Sequence, residues 1–278
     1  IGEETILKYT GNDFNGSLPF AKLLWLKKNK PELYNRTKKV VFSSKDYVIA
    51  QLTGHTISDV TTCATTGVMD IYKKDWMKEW IDAIGLDYSK FPCIFYAHER
   101  VGSVSEAGSK ESSYEKGTPV YAGTGDAGAT TLASGISKDG EFNINLGTSG
   151  WVACVSNNIL NNTGVFNLAA MQKELYINVV PFLNAGNVHK WVSKTLTPDD
   201  QQDLKYDYTG RLLEESKTGS NGIMFLPYIT GERFPVLDPK IRGSFIGITP
   251  ETTKQDLARA TLEGVAYSLR QGIDRINK

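Results

Sequence analysis

Residues 119–150 read PVYAGTGDAGATTLASGISKDGEFNINLGTSG and contain the clearest structural pattern of the chain. A short strand pattern at 119–122 leads into a cluster of glycines around a single acidic residue. Two stretches of alternating apolar and polar residues follow, at 141–146 and 151–155, and a glycine-bounded loop at 147–150 joins them. Alternation on both sides of so short a loop is typical of a β-hairpin.

The chain divides most readily between residues 134 and 140, where small residues and glycines separate the glycine cluster from the hairpin. We therefore predict two domains, residues 1–136 and residues 137–278. At ~100–200 residues per domain, a chain of 278 residues accommodates both.

The flanking segments give weaker patterns. Helical spacing predicts an element at 45–53, with Ser44 as its N-cap, a helix at 185–196 and a long helix at the end of the sequence. Thr252 and Gln255 have the spacing of a capping box for that last helix. Residues 56–72 are rich in threonine and valine, which favours strand and loop over helix.

Composition limits the classes of partner. The formal net charge is zero, from 31 Lys and Arg against 31 Asp and Glu, so net charge gives no support for nucleic acid or an anionic membrane as a partner. No apolar run approaches the ~18 residues of a membrane span. Cys63, Cys93 and Cys154 lie far apart, which suits a reducing cytoplasm better than a disulfide framework. We expect a cytoplasmic protein without nucleic-acid or membrane partners, and a homodimer stays open.

The glycine cluster, Gly123-Thr124-Gly125-Asp126-Ala127-Gly128, has three interpretations. It satisfies the dinucleotide-binding spacing G-x-G-x-x-G, but the next strand enters a tight hairpin rather than a second βαβ crossover. Asp126 could instead N-cap the following helix, a common role for aspartate. The third interpretation uses the Asp126 carboxylate as the base that accepts the proton of an attacking hydroxyl in phosphoryl transfer.

The loop Gly147-Thr148-Ser149-Gly150 has two interpretations. A glycine-rich turn can point several backbone N–H groups into one concavity and bind a phosphate there. The hydroxyls of Thr148 and Ser149 would add donors. An ordinary hairpin turn has the same composition, and the loop alone does not decide between the two.

A long loop at 230–249 contains Gly231-Glu232-Arg233-Phe234-Pro235. Charged residues of both signs in a proline-bounded segment predict internal ion pairs. Such pairs brace loops at least as often as they contact ligands, so both roles stay open for this loop.

The glycine cluster and the loop at 147–150 belong to a longer series of short segments that spans essentially the whole chain. The series consists of LWLK at 24–27, KDY at 45–47, LTG at 52–54, TPV at 118–120, GD at 125–126, NLGTSG at 145–150, LPY at 226–228, GER at 231–233, DP at 238–239, RGSFIG at 242–247 and RATLEGV at 259–265. In this order and spacing it resembles the FGGY family of carbohydrate kinases.

The resemblance implies an α/β protein of the ribonuclease H-like, actin-like ATPase fold, with parts of two lobes and a cleft between them. Residues 1–136 would be the later part of the sugar-binding lobe, and residues 137–278 the earlier part of the nucleotide-binding lobe. Asp126 would be the general base, with Ala127 also in contact with the sugar. Glycerol-specific members carry a glutamine after this aspartate, so Ala127 argues against glycerol as the substrate.

The same resemblance implies ATP and Mg²⁺ as cofactors. Gly147 and Thr148 would hold the phosphates of ATP, and Mg²⁺ would bridge those phosphates and neutralise their charge. Gly186 matches a glycine near the nucleotide. Lys190, one helical turn further on, stands where some members contact the nucleotide through a different residue.

The implied reaction is ATP-dependent phosphorylation of a sugar hydroxyl, with D-xylulose as the favoured substrate. Gluconate or another ketose is the alternative within the family, and a non-catalytic, truncated sugar-binding module is the alternative of another class. The family's N-terminal phosphate loop and its C-terminal adenosine motif do not occur in this sequence. We therefore expect these 278 residues to be the central part of a longer kinase, with little or no activity alone.

Overall fold

The computed structural model describes residues 2–161 and 164–277, and the chain divides into two compact units. The first unit comprises Ile1–Glu141, Cys154–Asn161 and Phe166–Asn178, and the second comprises Phe142–Ala153, Asn162–Val165 and Val179–Lys278. The boundary at residues 136 and 137 stays a prediction. No helix among the described residues is long and apolar enough to cross a membrane.

Both units contain helices and strands. The helices are α1 (Glu3–Thr10), α2 (Pro19–Asn29), α3 (Pro31–Arg36), α4 (Ser44–Thr53), α5 (Val60–Ala64), α6 (Lys78–Ala83), α7 (Glu106–Glu111), α8 (Asp126–Ala133), α9 (Gly186–Leu196), α10 (Lys205–Glu215) and α11 (Lys254–Ile276). The strands are β1 (Ile57–Asp59), β2 (Met69–Asp70), β3 (Asp75–Trp76), β4 (Cys93–Phe95), β5 (Arg100–Ser103), β6 (Pro119–Tyr121), β7 (Phe142–Leu146), β8 (Gly150–Ser156), β9 (Phe166–Ala169), β10 (Tyr176–Phe182), β11 (Met224–Leu226) and β12 (Ser244–Ile246).

The strands form several small sheets. In the first unit β1 pairs in parallel with β4, while β2 with β3 and β5 with β6 are antiparallel pairs. In the second unit β11 and β12 are antiparallel. The remaining strands form a four-stranded sheet in the order β7-β8-β10-β9, with β7 and β8 as the predicted hairpin.

A buried apolar cluster fixes the start of the glycine cluster in the first unit. Ile49, Ile57, Val101 and Ala122 pack together, and Ala122 has no exposed surface. Because Ala122 directly follows β6, this packing fixes where the chain leaves the strand and turns towards Asp126.

In the second unit the core lies between α9, β11 and α11. Val188, Phe225 and Val265 are buried there together with Ile223 and Ala260. Gly264 permits the close approach of α11 to β11, since a Cβ atom at this position would lie 2.3 Å from the Phe225 carbonyl oxygen. This packing holds α9 in place behind the hairpin loop described below.

Two predictions in the first unit differ from the structure. Ser43, not Ser44, caps α4: its Oγ accepts a hydrogen bond from the Asp46 amide at 3.1 Å. The segment 56–72 contains α5, which the β-branched sequence VTTCA disfavours locally. Asp59 caps α5 through the Thr62 amide, and every residue of the helix is buried, so tertiary packing overrides propensity.

Two predictions in the second unit also differ. The capping box of α11 is formed by Thr253 and Asp256, one residue beyond the predicted Thr252 and Gln255. Both pairs have the same spacing, and the structure uses the one whose second residue is a carboxylate. The segment 230–249, predicted as loop throughout, contains β12, which pairs with β11.

Candidate active site

Asp126 is the first residue of α8 and lies directly after a glycine turn. Gly123 adopts a φ of +63°, and Gly125, with extended backbone, is the N-cap of the helix. The Asp126 side chain is exposed and accepts a hydrogen bond from the Ala127 amide at 2.8 Å. The alternative in which Asp126 is itself the N-cap is therefore wrong.

The other glycines of the cluster make room for neighbouring hydroxyl groups. A Cβ atom at Gly128 would lie 2.4 Å from the Thr124 Oγ1 atom, and one at Gly125 would lie 3.0 Å from the Thr62 Oγ1 atom. Close packing between the turn and its surroundings thus explains these two glycines.

A cavity of about 430 Å³ lies at this turn, within the first unit. Asp126 and Ala127 contribute to its wall, as do Lys45 and a set of residues with hydroxyl side chains. Those hydroxyl residues are Ser43, Ser44, Thr61, Thr62, Thr65 and Thr124. The buried Thr124 Oγ1 atom has no hydrogen-bond partner among the described residues. The wall therefore combines hydroxyl groups with apolar surface from Phe42 and Leu168, a mixture that suits a ligand with hydroxyl groups on a carbon chain.

A charged cluster, formed by Lys45, Asp46, Ser58 and Asp59, lies behind the turn. Both carboxylates are completely buried, whereas 22% of the Lys45 side chain is exposed. The Lys45 Nζ atom lies 2.6 Å from an Asp46 oxygen and 3.9 Å from an Asp59 oxygen. The Ser58 hydroxyl donates to the other Asp46 oxygen at 2.7 Å.

Burial in and around the charged cluster shifts the pKa values of Asp59 and Cys63. Burial raises the pKa of Asp59, while the charge of Lys45 and the hydrogen bonds from Thr62 lower it less. Burial also raises the pKa of the Cys63 thiol far above its ordinary value, so this cysteine is neutral. Sequence reasoning missed the cluster: KDY at 45–47 contributes to the family resemblance, but nothing in it indicates contact with residues beyond 120.

The hairpin loop of the second unit is built on backbone contacts. Gly147, Thr148 and Ser149 are exposed, and the Gly147 amide donates to the Ser149 carbonyl at 2.9 Å. The first two amides of α9 reach this loop: Gly186 donates to the Gly147 carbonyl at 2.8 Å and Asn187 to the Thr148 carbonyl at 3.0 Å. The structure therefore brings Gly147, Thr148 and Gly186 together.

Gly186 has a steric role at this contact. A Cβ atom there would lie 2.5 Å from the Gly147 carbonyl oxygen, closer than side chains come to backbone. Its amide already donates to Gly147, whereas the Thr148 and Ser149 amides have no acceptor among the described residues. Lys190 is exposed, four residues into α9. The donors left for an anion are thus those of the loop rather than that of Gly186.

Glu232 is a buried bracing residue. Its carboxylate accepts hydrogen bonds from the Leu183 amide at 2.8 Å, the Asn184 Nδ2 atom at 2.9 Å and the Arg233 amide at 2.7 Å. Only 2% of the residue is exposed. Of the two roles left open for this loop, the structure supports bracing, here of the segment that leads into α9. The bracing acts through hydrogen bonds from neutral donors and not through the predicted internal ion pairs.

The described residues contain no group of three or more His, Cys, Asp or Glu side chains that could hold a metal ion.

Comparison with known protein families identifies the chain. The N-terminal domain of the FGGY family of carbohydrate kinases matches residues 1–133, and the C-terminal domain of the same family matches residues 142–278. The chain belongs to the FGGY family. The resemblance found in the sequence is thereby confirmed.

Individual FGGY relatives agree with this assignment. The xylulose kinase of Lactococcus lactis is 34% identical over 281 residues, which cover 99% of this chain and 54% of the relative. The crystal structure of xylulose kinase from Rhodospirillum rubrum superposes with a TM-score of 0.91 at 25% identity, over 100% of this chain and 56% of that one. The crystal structure of gluconate kinase from Lactobacillus acidophilus superposes with a TM-score of 0.88 at 27% identity, over 99% of this chain and 55% of that one.

These comparisons confirm the predicted fold class, α/β of the actin-like ATPase type. They also show that the chain spans about half the length of the relatives it matches.

Proposed function

We propose that this chain carries the sugar-phosphorylating residues of an ATP-dependent kinase that converts D-xylulose to D-xylulose 5-phosphate. The observation that carries the proposal is an exposed carboxylate, Asp126, in the wall of a 430 Å³ cavity rich in hydroxyl side chains. Membership of the FGGY family and the similarity to xylulose kinases support the reaction and the sugar.

In the proposed reaction the Asp126 carboxylate accepts the proton of the sugar hydroxyl as its oxygen attacks the γ-phosphorus of MgATP. The bond from the γ-phosphorus to the β,γ-bridging oxygen breaks, and MgADP leaves. The exposed position of Asp126 at the start of α8 leaves its carboxylate accessible to a ligand in the cavity. Ala127, which also lines the cavity, contacts the sugar through a small side chain.

The nucleotide phosphates are assigned to the hairpin loop of the second unit. The exposed amides of Thr148 and Ser149 are available donors, and Gly147 supplies the turn that presents them. Gly186 contributes by letting α9 approach the loop rather than by donating its own amide. Lys190 supplies a positive charge on the exposed side of α9 for contact with the nucleotide.

A cytoplasmic location completes the proposal. Cys63, Cys93 and Cys154 are all free thiols, and Cys93 is exposed. Free thiols persist in reducing compartments, where ATP-dependent metabolism also takes place. Cell fractionation with antibody detection tests this assignment.

Gluconate is the competing substrate, because a gluconate kinase superposes nearly as well as a xylulose kinase. The test is a coupled ADP-release assay on the complete gene product with D-xylulose, D-ribulose, gluconate and glycerol. We expect the highest kcat/KM with D-xylulose and none above background with glycerol. A higher kcat/KM with gluconate would replace D-xylulose by gluconate as the proposed substrate. Sugar binding without ADP release would support the non-catalytic module instead.

A further inference from the structure

We infer that Lys45 and Asp59 are positioning residues for Asp126, holding the glycine turn 122–125 from its two ends. The inference rests on the proposed function, because it assigns these side chains a part in catalysis through the residue proposed as the base. Neither side chain needs to touch the sugar for this role.

Lys45 holds the first end of the turn. Its Nζ atom donates to the Ala122 carbonyl at 3.0 Å, across 77 residues of sequence. Ala122 is itself buried in the apolar cluster of the first unit, so the carbonyl is presented from a fixed position. The contact therefore fixes the backbone where it leaves β6.

Asp59 holds the second end. One of its oxygens accepts the Gly125 amide at 3.1 Å and the Thr62 hydroxyl at 3.0 Å, and the other accepts the Thr62 amide at 3.0 Å. One buried carboxylate thus caps α5 and at the same time holds Gly125, the N-cap of α8. Since Asp126 is the next residue, a shift at Gly125 passes directly to the proposed base.

The two anchors depend on each other through charge. The titratable groups around Asp59 are Lys45 and Asp46 on α4 and the neutral Cys63 thiol on α5. Two completely buried carboxylates therefore face one ammonium group. Without Lys45 the buried negative charges lack their counter-ion, and Asp59 takes up a proton at higher pH.

A positioning role makes a prediction that a purely structural role does not. Displacement of a catalytic group by about 1 Å can lower the rate by ~10²-fold. The proposed ATP contacts lie in the hairpin loop of the second unit and share no hydrogen bond with Lys45 or Asp59. Loss of either anchor should thus lower kcat and leave the KM for ATP nearly unchanged.

The experiment compares Lys45→Met and Asp59→Asn with two matched controls in the complete gene product. Lys90→Met removes a largely buried lysine that donates to the Thr37 carbonyl and faces Asp87. Asp70→Asn removes a buried carboxylate that accepts the Tyr72 and Lys73 amides. We expect kcat to fall 10- to 100-fold in the two anchor variants and to stay within twofold in the controls at equal loss of thermal stability.

The pH profile supplies the second readout. We expect Lys45→Met to move the acid limb of kcat to higher pH, because protonated Asp59 is a poorer acceptor for Gly125. The double variant Lys45→Met/Asp59→Asn should return that limb towards the wild-type position, since no carboxyl group remains to titrate at residue 59. An unmoved acid limb in Lys45→Met would contradict the inference.

Amide hydrogen exchange in the complete gene product tests the contact without any activity. The Gly125 amide should be protected in the wild type, less protected in Asp59→Asn, where an NH₂ group replaces one of the two acceptor oxygens, and exposed in Asp59→Ala. Equal exchange in all three overturns the inference. If the anchor variants keep wild-type kcat while Asp126→Asn is inactive, the inference fails and the proposed function stands; if Asp126→Asn is active, the proposed function fails.

Discussion

The turn at Asp126 and the loop at Gly147 are held in place by different kinds of interaction. Two charged side chains, Lys45 and Asp59, hold the turn through hydrogen bonds of 3.0 and 3.1 Å. The loop at Gly147 is instead held by backbone hydrogen bonds from the first two residues of α9, where Gly186 permits close contact. The position of the turn should therefore depend on charge and pH, and the position of the loop should depend on side-chain volume.

The largest expected effect concerns the base itself. Asp126→Asn keeps the size of the side chain but removes its ability to accept a proton, so kcat should fall by ~10²–10⁴-fold in the complete gene product. The affinity for ATP should stay unchanged, because the assigned phosphate donors lie in the hairpin loop. Steady-state kinetics and calorimetry measure the two quantities, and normal turnover would remove Asp126 from the role of base.

The next effect tests the steric nature of the hairpin loop. Gly186→Ala would place a Cβ atom 2.5 Å from the Gly147 carbonyl oxygen, so loop and helix must separate. We expect the KM for ATP to rise by at least about tenfold and the unfolding free energy to fall by ~1–3 kcal/mol.

Gly210→Ala is the matched control, since a Cβ atom there meets nothing within 4 Å and the residue lies inside α10. It should be neutral or stabilising by up to ~1 kcal/mol. Equal behaviour of the two alanine variants would contradict the close contact between Gly186 and Gly147.

A smaller effect is expected at Glu232, the buried bracing residue behind the hairpin loop. Glu232→Gln replaces one acceptor oxygen with an NH₂ group that faces the Leu183 amide or the Asn184 Nδ2 atom, both of which are donors. Urea unfolding should show a loss of ~1–3 kcal/mol, because a buried donor is left unsatisfied. The exposed Glu251→Gln should stay within ~0.5 kcal/mol, and a similar loss in both would argue against the brace.

The smallest effect contrasts two buried aspartates, one from each unit. Burial raises the pKa of Asp59, whereas hydrogen bonds from Thr253 lower the pKa of Asp256. As pH rises above the ordinary value of 3.8, unfolded chains ionise at residue 59 before the folded protein does, so Asp59 lowers stability across that window. Asp256 does the opposite: its contribution is present above 3.8 and is lost as pH falls through the depressed pKa.

Denaturant unfolding between pH 3 and pH 7 measures both contributions. The stability of the wild type relative to Asp59→Asn should decrease with rising pH, by at most about 1.4 kcal/mol for each pH unit. The stability of the wild type relative to Asp256→Asn should increase with rising pH. The same slope for both variants would show that the two carboxylates share one environment.

Local sequence patterns were sufficient to predict the hairpin and the helix behind it. The strands β7 and β8 have clear alternation, and α9 lies within one residue of the predicted helix at 185–196. The order and spacing of the motifs were enough to predict the family. These features depend on residues close together in the chain, where periodicity and turn composition are informative.

The anchors of Asp126 could not be found in this way. The contact from Lys45 to Ala122 spans 77 residues and that from Asp59 to Gly125 spans 66. Asp59 also creates α5, which its own β-branched sequence opposes, by capping a helix that tertiary packing then buries. Such residues are identified by what surrounds them in three dimensions, and a single sequence contains no record of it.

A single-turnover experiment on the complete gene product tests the contrast between turn and loop most directly. Enzyme preloaded with MgATP is mixed with D-xylulose, and the rate of sugar phosphate formation is compared with the dissociation constant for ATP in Asp126→Asn and Gly186→Ala. We predict a crossed result, in which Asp126→Asn loses rate and keeps ATP affinity while Gly186→Ala loses ATP affinity and keeps most of the rate at saturation. Loss of both quantities in both variants, or the reverse assignment, would contradict the account.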